Sequence, residues 1–224
     1  MQSDKGHHTA IVTGIITLVI GGLAGFGIAK ASNNNTSMGS MPMSTSSKAS
    51  DLRANLVTLG VEHMNYTDQA IAAALDGSPN ADATAAALYK NGTDIGAAVG
   101  SVYGKDAETT FNKVWKLHLD DFVKYAVAGS KNDSAAKQAA LADIQTNYTK
   151  PLAQYLAKAN PNLPEATLES ALGEHVDMTA KVIDLHNAKD YTAEANELAL
   201  ANKHIEGLMS TLAGGIVKQY PNKF

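Results

Sequence analysis

The sequence predicts an all-α protein: six helices paired as three repeated helical hairpins across residues 51–224, preceded by one N-terminal helix of membrane-spanning length. Three observations carry that expectation. Apolar residues recur every three or four positions, with Leu52, Leu56, Leu59, Tyr66 and Ala70 on one stripe and Phe111, Trp115, Phe122 and Tyr125 on another, the period of a helix with one buried face. No segment alternates apolar with polar residues as a half-buried strand would. Histidines sit mid-stripe in the first, third and fifth helices at His63, His118 and His175, separated by 118 − 63 = 55 and 175 − 118 = 57 residues, so a two-helix unit recurs.

Residues 1–8 form a short polar tail. Thr9 to Ala29 is a run of 21 uncharged residues rich in Ile, Val, Leu, Ala and Gly, which at about 1.5 Å rise per residue covers a bilayer core of about 30 Å. A secretory h-region has only about 7–15 such residues, so the segment reads as a transmembrane anchor or uncleaved signal. Ala29-Lys30-Ala31 also fits a signal-peptidase site, and cleavage after Ala31 would secrete the chain. The short tail and that triplet place the C-terminal part outside the cytoplasm, whereas Lys5 against Lys30 gives almost no charge bias. Residues 30–50, dominated by Ser and Asn, read as a flexible linker.

Helix ends follow from the punctuation. Ser50 is the expected first cap; Gly77-Ser78-Pro79, Gly104-Lys105-Asp106, Gly129 to Asp133, Asn160 to Pro164 and His186 to Thr192 are the breaks, and Pro221 ends the last helix. The helices expected are 51–76, 82–103, 107–128, 134–158, 164–187 and 193–219, with Pro151 kinking or splitting the fourth. Gly92, Gly96, Gly100 and Gly104 recur every four residues on the second helix, a flat ridge for close approach of a neighbouring helix.

Composition excludes several functions. The chain has no cysteine, which removes disulfides, thiolate zinc sites, iron–sulfur clusters and cysteine nucleophiles. Arg53 is the sole arginine, and residues 51–224 carry 15 basic against 21 acidic side chains, so a nucleic-acid partner is not expected. No Ser–His–Asp pattern, glycine-rich phosphate loop or Glu-x-x-His pair is present, and no catalytic activity is expected. The remaining reading is a membrane-anchored, extracytoplasmic binding or structural module of the cell envelope, its partner the membrane through residues 9–29.

The competing reading is a metal protein for copper or zinc sequestration or delivery. A histidine on a core stripe is first expected to be structural, its nitrogens satisfied by a facing Asn, Asp or water. Four inward imidazoles from four helices, His63, His118, His175 and His204, would alternatively converge on an ion as side chains do in bundle sites. Glu62, Glu174, Asp120, Asp121 and Asp177 are the carboxylates near them in sequence. The even helices carry Asn91, Asn147 and His204 at 28, 29 and 29 residues after the three repeated histidines. Met38, Met41 and Met43 in the linker offer soft thioethers suited to Cu(I).

Certain pieces of the chain resemble a known family: Glu62-His63 with Thr67, Asn91-x-x-Asp94-Ile95-Gly96, Tyr103-Gly104, Ala159-Asn160-Pro161, Glu174-His175 and the ending Gly215-Ile216-x-x-Gln219-Tyr220-Pro221-x-x-Phe224. They look like an uncharacterised family of bacterial envelope helical proteins of Bacillus type, some labelled acetylglutamate kinase. The resemblance spans nearly all of 51–224 and implies an all-helical fold, with no activity attached. The kinase label has no support in the residues, since no glycine-rich loop joins a strand to a helix.

Overall fold

The computed structural model describes residues 46–224, and among these every regular element is helical. The expected anchor at 9–29, most of the 30–50 linker, and Met38, Met41 and Met43 lie outside the described residues. No helix among the described residues is long and apolar enough to cross a membrane.

Helix α1 (Lys48–Leu75) begins one turn earlier than the sequence predicts. Ser47 caps it, its hydroxyl accepting from Ser50 N at 3.1 Å while Ser47 N donates to Ser50 Oγ at 2.7 Å, so Ser50 closes a capping box from inside the helix. Helix α2 (Ala81–Tyr103) stops at Gly104, whose φ of 93° lets α3 (Lys105–Ser130) follow without an intervening loop. Asp133 caps α4 (Ser134–Ile144), accepting from Ala136 N at 3.0 Å. Helix α6 spans Glu165–Asn187, and α7 spans Tyr191–Gln219 with Asp190 as its cap.

The fourth predicted helix is split, and Pro151 is the physical reason. Pro151 has no N–H to return to residue 147. The chain widens just before it into a π turn over Gln145–Thr149, with Lys150 N donating five residues back to Gln145 O, and continues as α5 (Lys150–Ala159). The turn leaves Asn147 exposed and brings Tyr148 and Thr149 into the interior.

Three helices form the centre and the rest surround them. Helices α1, α3 and α6 touch one another pairwise. Helix α2 packs on α1 and α3, the α4–π–α5 segment on α3 and α6, and α7 on α6 and α1, which closes a ring. On α3 the predicted stripe of Phe111, Trp115, Phe122 and Tyr125 is buried throughout, whereas on α1 Leu56 and Ala70 are buried, Leu52, Leu59 and Tyr66 only partly so, and Met64 and Ile71 complete the inner face; α6 buries Leu168, Val176 and Ile183. The glycine ridge of α2 meets α3 as expected. A Cβ at Gly92 would lie 2.6 Å from the Trp115 indole, and side chains of Asn112 and Glu108 crowd Gly96 and Gly100 in the same way. Trp115 therefore reaches its position only because residue 92 has no side chain.

Candidate metal centre

Each central helix carries one histidine at mid-length on its buried face, and the three meet. His63 of α1, His118 of α3 and His175 of α6 are 2%, 0% and 1% exposed, and each offers a ring nitrogen lying within 4.8 Å of the nitrogens of the other two. The His63 ring centroid is 5.6 Å from that of His118 and 5.8 Å from that of His175.

Aromatic residues wall the cluster. Trp115, one turn before His118, places its ring 4.7 Å from His63 and 4.6 Å from His118. Tyr148, carried inward by the π turn, stacks on His118 at 4.2 Å with 19° between planes, and Phe122 meets the same ring edge-on at 6.1 Å. Among the described residues no carboxylate joins the group. Asp120, adjacent in sequence, is held by Lys116 at 2.6 Å and by the Tyr89 hydroxyl at 2.9 Å. Asp121 pairs with Lys124 at 2.6 Å, and Asp177 is exposed.

The hydrogen bonding is uneven in an informative way. His118 Nδ1–H donates to the Trp115 carbonyl, which fixes the tautomer and leaves the lone pair on Nε2. That Nε2, His63 Nδ1 and both nitrogens of His175 are buried without a hydrogen-bond partner. A buried polar atom left unsatisfied costs about 1–3 kcal/mol. Four such atoms on three neighbouring buried rings are therefore an arrangement that side-chain packing does not favour.

Burial sets the charge state. It pushes His118 down to about 3, helped by neighbouring His175, and His175 down to about 4, helped by His204. His63 falls well below the usual histidine range through burial first, then the His118 and His175 imidazoles. All three are neutral at physiological pH, the form in which imidazole binds a metal.

His204 is not in the cluster. It is partly buried on α7, its Nε2–H donates to Ala171 O at 2.8 Å, and Nδ1 lies 3.5 Å from Glu174 Oε2. Asn91 makes no hydrogen bond to His63 either; its amide donates to Leu59 O at 3.0 Å. Both carbonyls belong to residues four before a cluster histidine. Thr67 and Thr179, four residues after His63 and His175, each donate to that histidine's carbonyl at 2.8 Å. The aromatic wall was not readable as such: Trp115 and Tyr148 are ordinary core residues by pattern, and only the Gly92 gap opposite and Pro151 downstream hint at their special placement.

No family model, curated protein or solved structure matches the chain.

Proposed function

We propose that this is a membrane-tethered, extracytoplasmic helical module that binds one transition-metal ion, copper or zinc, through His63, His118 and His175. The observation that carries the reading is the convergence of three buried imidazoles, each of which keeps at least one ring nitrogen without a hydrogen-bond partner. A metal-ligating histidine characteristically gives its second N–H to a carbonyl or carboxylate, and His118 has that arrangement with Trp115. Tethering rests on the apolar run at 9–29, and Met38, Met41 and Met43 beside it would ferry copper to or from the domain. The module is read as binding rather than catalytic because all three imidazoles are buried and are neighboured by the aromatic rings of Trp115, Tyr148 and Phe122 rather than by groups that could act as acid, base or nucleophile. As a member of the envelope family it resembles, it would act at the cell surface.

We read the architecture as three copies of one hairpin about a central axis: α1–α2, α3 with α4–α5, and α6–α7. The matched bonds of Asn91 and His204 to carbonyls, and of Thr67 and Thr179 to histidine carbonyls, support it. In the middle copy the π turn replaces the Asn147 bond with Tyr148 stacking.

Metal analysis and thermal melting of the full chain, purified in detergent without an affinity tag, test the reading. One ion per chain and a higher melting midpoint with added metal are expected, because a ligand bound only by the folded state stabilises it. His175→Ala should abolish both effects while His204→Ala preserves them. No bound ion and an unmoved midpoint would overturn the proposal.

A further inference from the structure

The donor set, its surroundings and its charge discriminate among ions, and we infer that the centre selects monovalent copper, with the Trp115 indole as the cation-binding wall of a three-imidazole site. The inference rests on the metal reading above and narrows it.

Charge decides first. The site is buried and contains three imidazoles, which ligate a metal in their neutral form, with no carboxylate or thiolate among the described residues to offset the ion. The cost of moving an ion out of water rises with the square of its charge, so a divalent ion costs about four times as much as a monovalent one here. Zinc sites meet that cost with anionic ligands, or with a bound water that ionises at the open fourth position.

Coordination number decides next. Zn(II) takes four ligands, and Cu(II) prefers a tetragonal set. Among the described residues only His63, His118 and His175 contribute to the group, and its nearest other rings are apolar or aromatic: Trp115 lies against His63 and His118, and Tyr148 and Phe122 against His118. A d¹⁰ monovalent ion accepts three imidazoles without a fourth ligand.

The wall itself decides third. Trp115 is the sole tryptophan of the chain, its ring lies against both His63 and His118, and indole is the aromatic group with the strongest attraction for a cation over its face. Gly92 is the residue that admits it to this position.

The full chain in detergent is titrated anaerobically with Cu(I), and separately with Zn(II), each against a chromophoric chelator while the fluorescence of Trp115 is followed. Expected are one Cu(I) per chain, quenched tryptophan emission, no copper paramagnetic resonance signal, and affinity for Cu(I) at least about 100-fold above that for Zn(II). Zinc binding as tightly as Cu(I), or a stable Cu(II) signal from the loaded protein, would overturn the selectivity and leave the metal reading standing. Neither ion binding would remove both. Trp115→Phe, which keeps a ring in the wall, should lower Cu(I) affinity about tenfold and leave zinc unchanged; equal losses for both ions would remove the indole from the site.

Discussion

Helix α6 carries two buried histidines eleven residues apart on one face, and their surroundings are opposite. His186, at the C-terminal end, has both nitrogens engaged: Nδ1 with Glu194 Oε1 at 2.9 Å and Nε2 with Asp76 Oδ1 at 3.3 Å. Burial lowers its pKa, but the bonds and charges of Glu194 and Asp76 outweigh it, and the net shift is upward. His175, at mid-helix, has neither nitrogen engaged and is pushed down to about 4 by burial. The first is a structural ion-pair hub joining the end of α1 to α6 and α7. The second belongs to a group whose polar requirements the protein itself does not meet. A buried histidine thus reveals its role through the accounting of its two nitrogens rather than through burial.

The largest way to break this contrast is acid. In the metal-free protein the three central histidines stay neutral while the unfolded chain takes up protons below about 6.5, so their contribution is complete above 6.5 and falls as pH drops toward 4. Each contributes a slope that approaches about 1 kcal/mol per pH unit once the unfolded histidine is fully protonated. His186 has the reverse sign: its stabilisation is present below 6.5 and disappears as pH rises through its elevated folded pKa. Denaturant midpoints from pH 7.5 to 4.5 should fall steeply for the wild type and much less for a chain with all three central histidines replaced by Gln. A flat profile in the wild type would mean that the central imidazoles protonate freely in the folded state.

Replacing the hub should separate the regions next. His186→Ala leaves the buried Glu194 without its imidazole partner, beside the Asp68 carboxyl to which it is also hydrogen-bonded, and should cost about 2–3 kcal/mol in chemical denaturation, with metal stoichiometry unchanged. Loss of metal binding in that variant would show the two regions to be one system.

Two glycines sharpen the comparison with smaller effects. Gly92→Ala forces the Trp115 indole away from a contact of 2.6 Å and should cost about 1–3 kcal/mol, measured by denaturation, together with weakened Cu(I) binding. Gly173→Ala, two residues before His175, meets nothing within 4 Å and should stabilise α6 by up to about 1 kcal/mol without changing metal affinity.

Much of this was legible from residues alone, because the helical period of the apolar stripes fixes which face of each helix is buried. His63, His118 and His175 stood on those faces at matched separations, and Pro151 marked the split in the fourth helix. His204 also stood at a matched offset, but it satisfies a carbonyl of α6 instead of joining the cluster, since sequence spacing sets a height and a face and leaves the partner undetermined. Helix starts shifted where capping depends on three-dimensional reciprocity, as at Ser47 and Ser50. The wall was hidden because Tyr148 reaches His118 only through the π turn, whose one-residue widening rotates everything after Gln145 and turns Asn147 out to solvent.

X-ray absorption at the copper edge of the loaded full chain tests the central claim most directly. Three nitrogen scatterers at about 2.0 Å, with imidazole outer-shell features and no sulfur, are predicted. Sulfur scatterers from the Met38, Met41 and Met43 segment, or a spectrum unchanged when His63, His118 and His175 are all replaced by Gln, would contradict it.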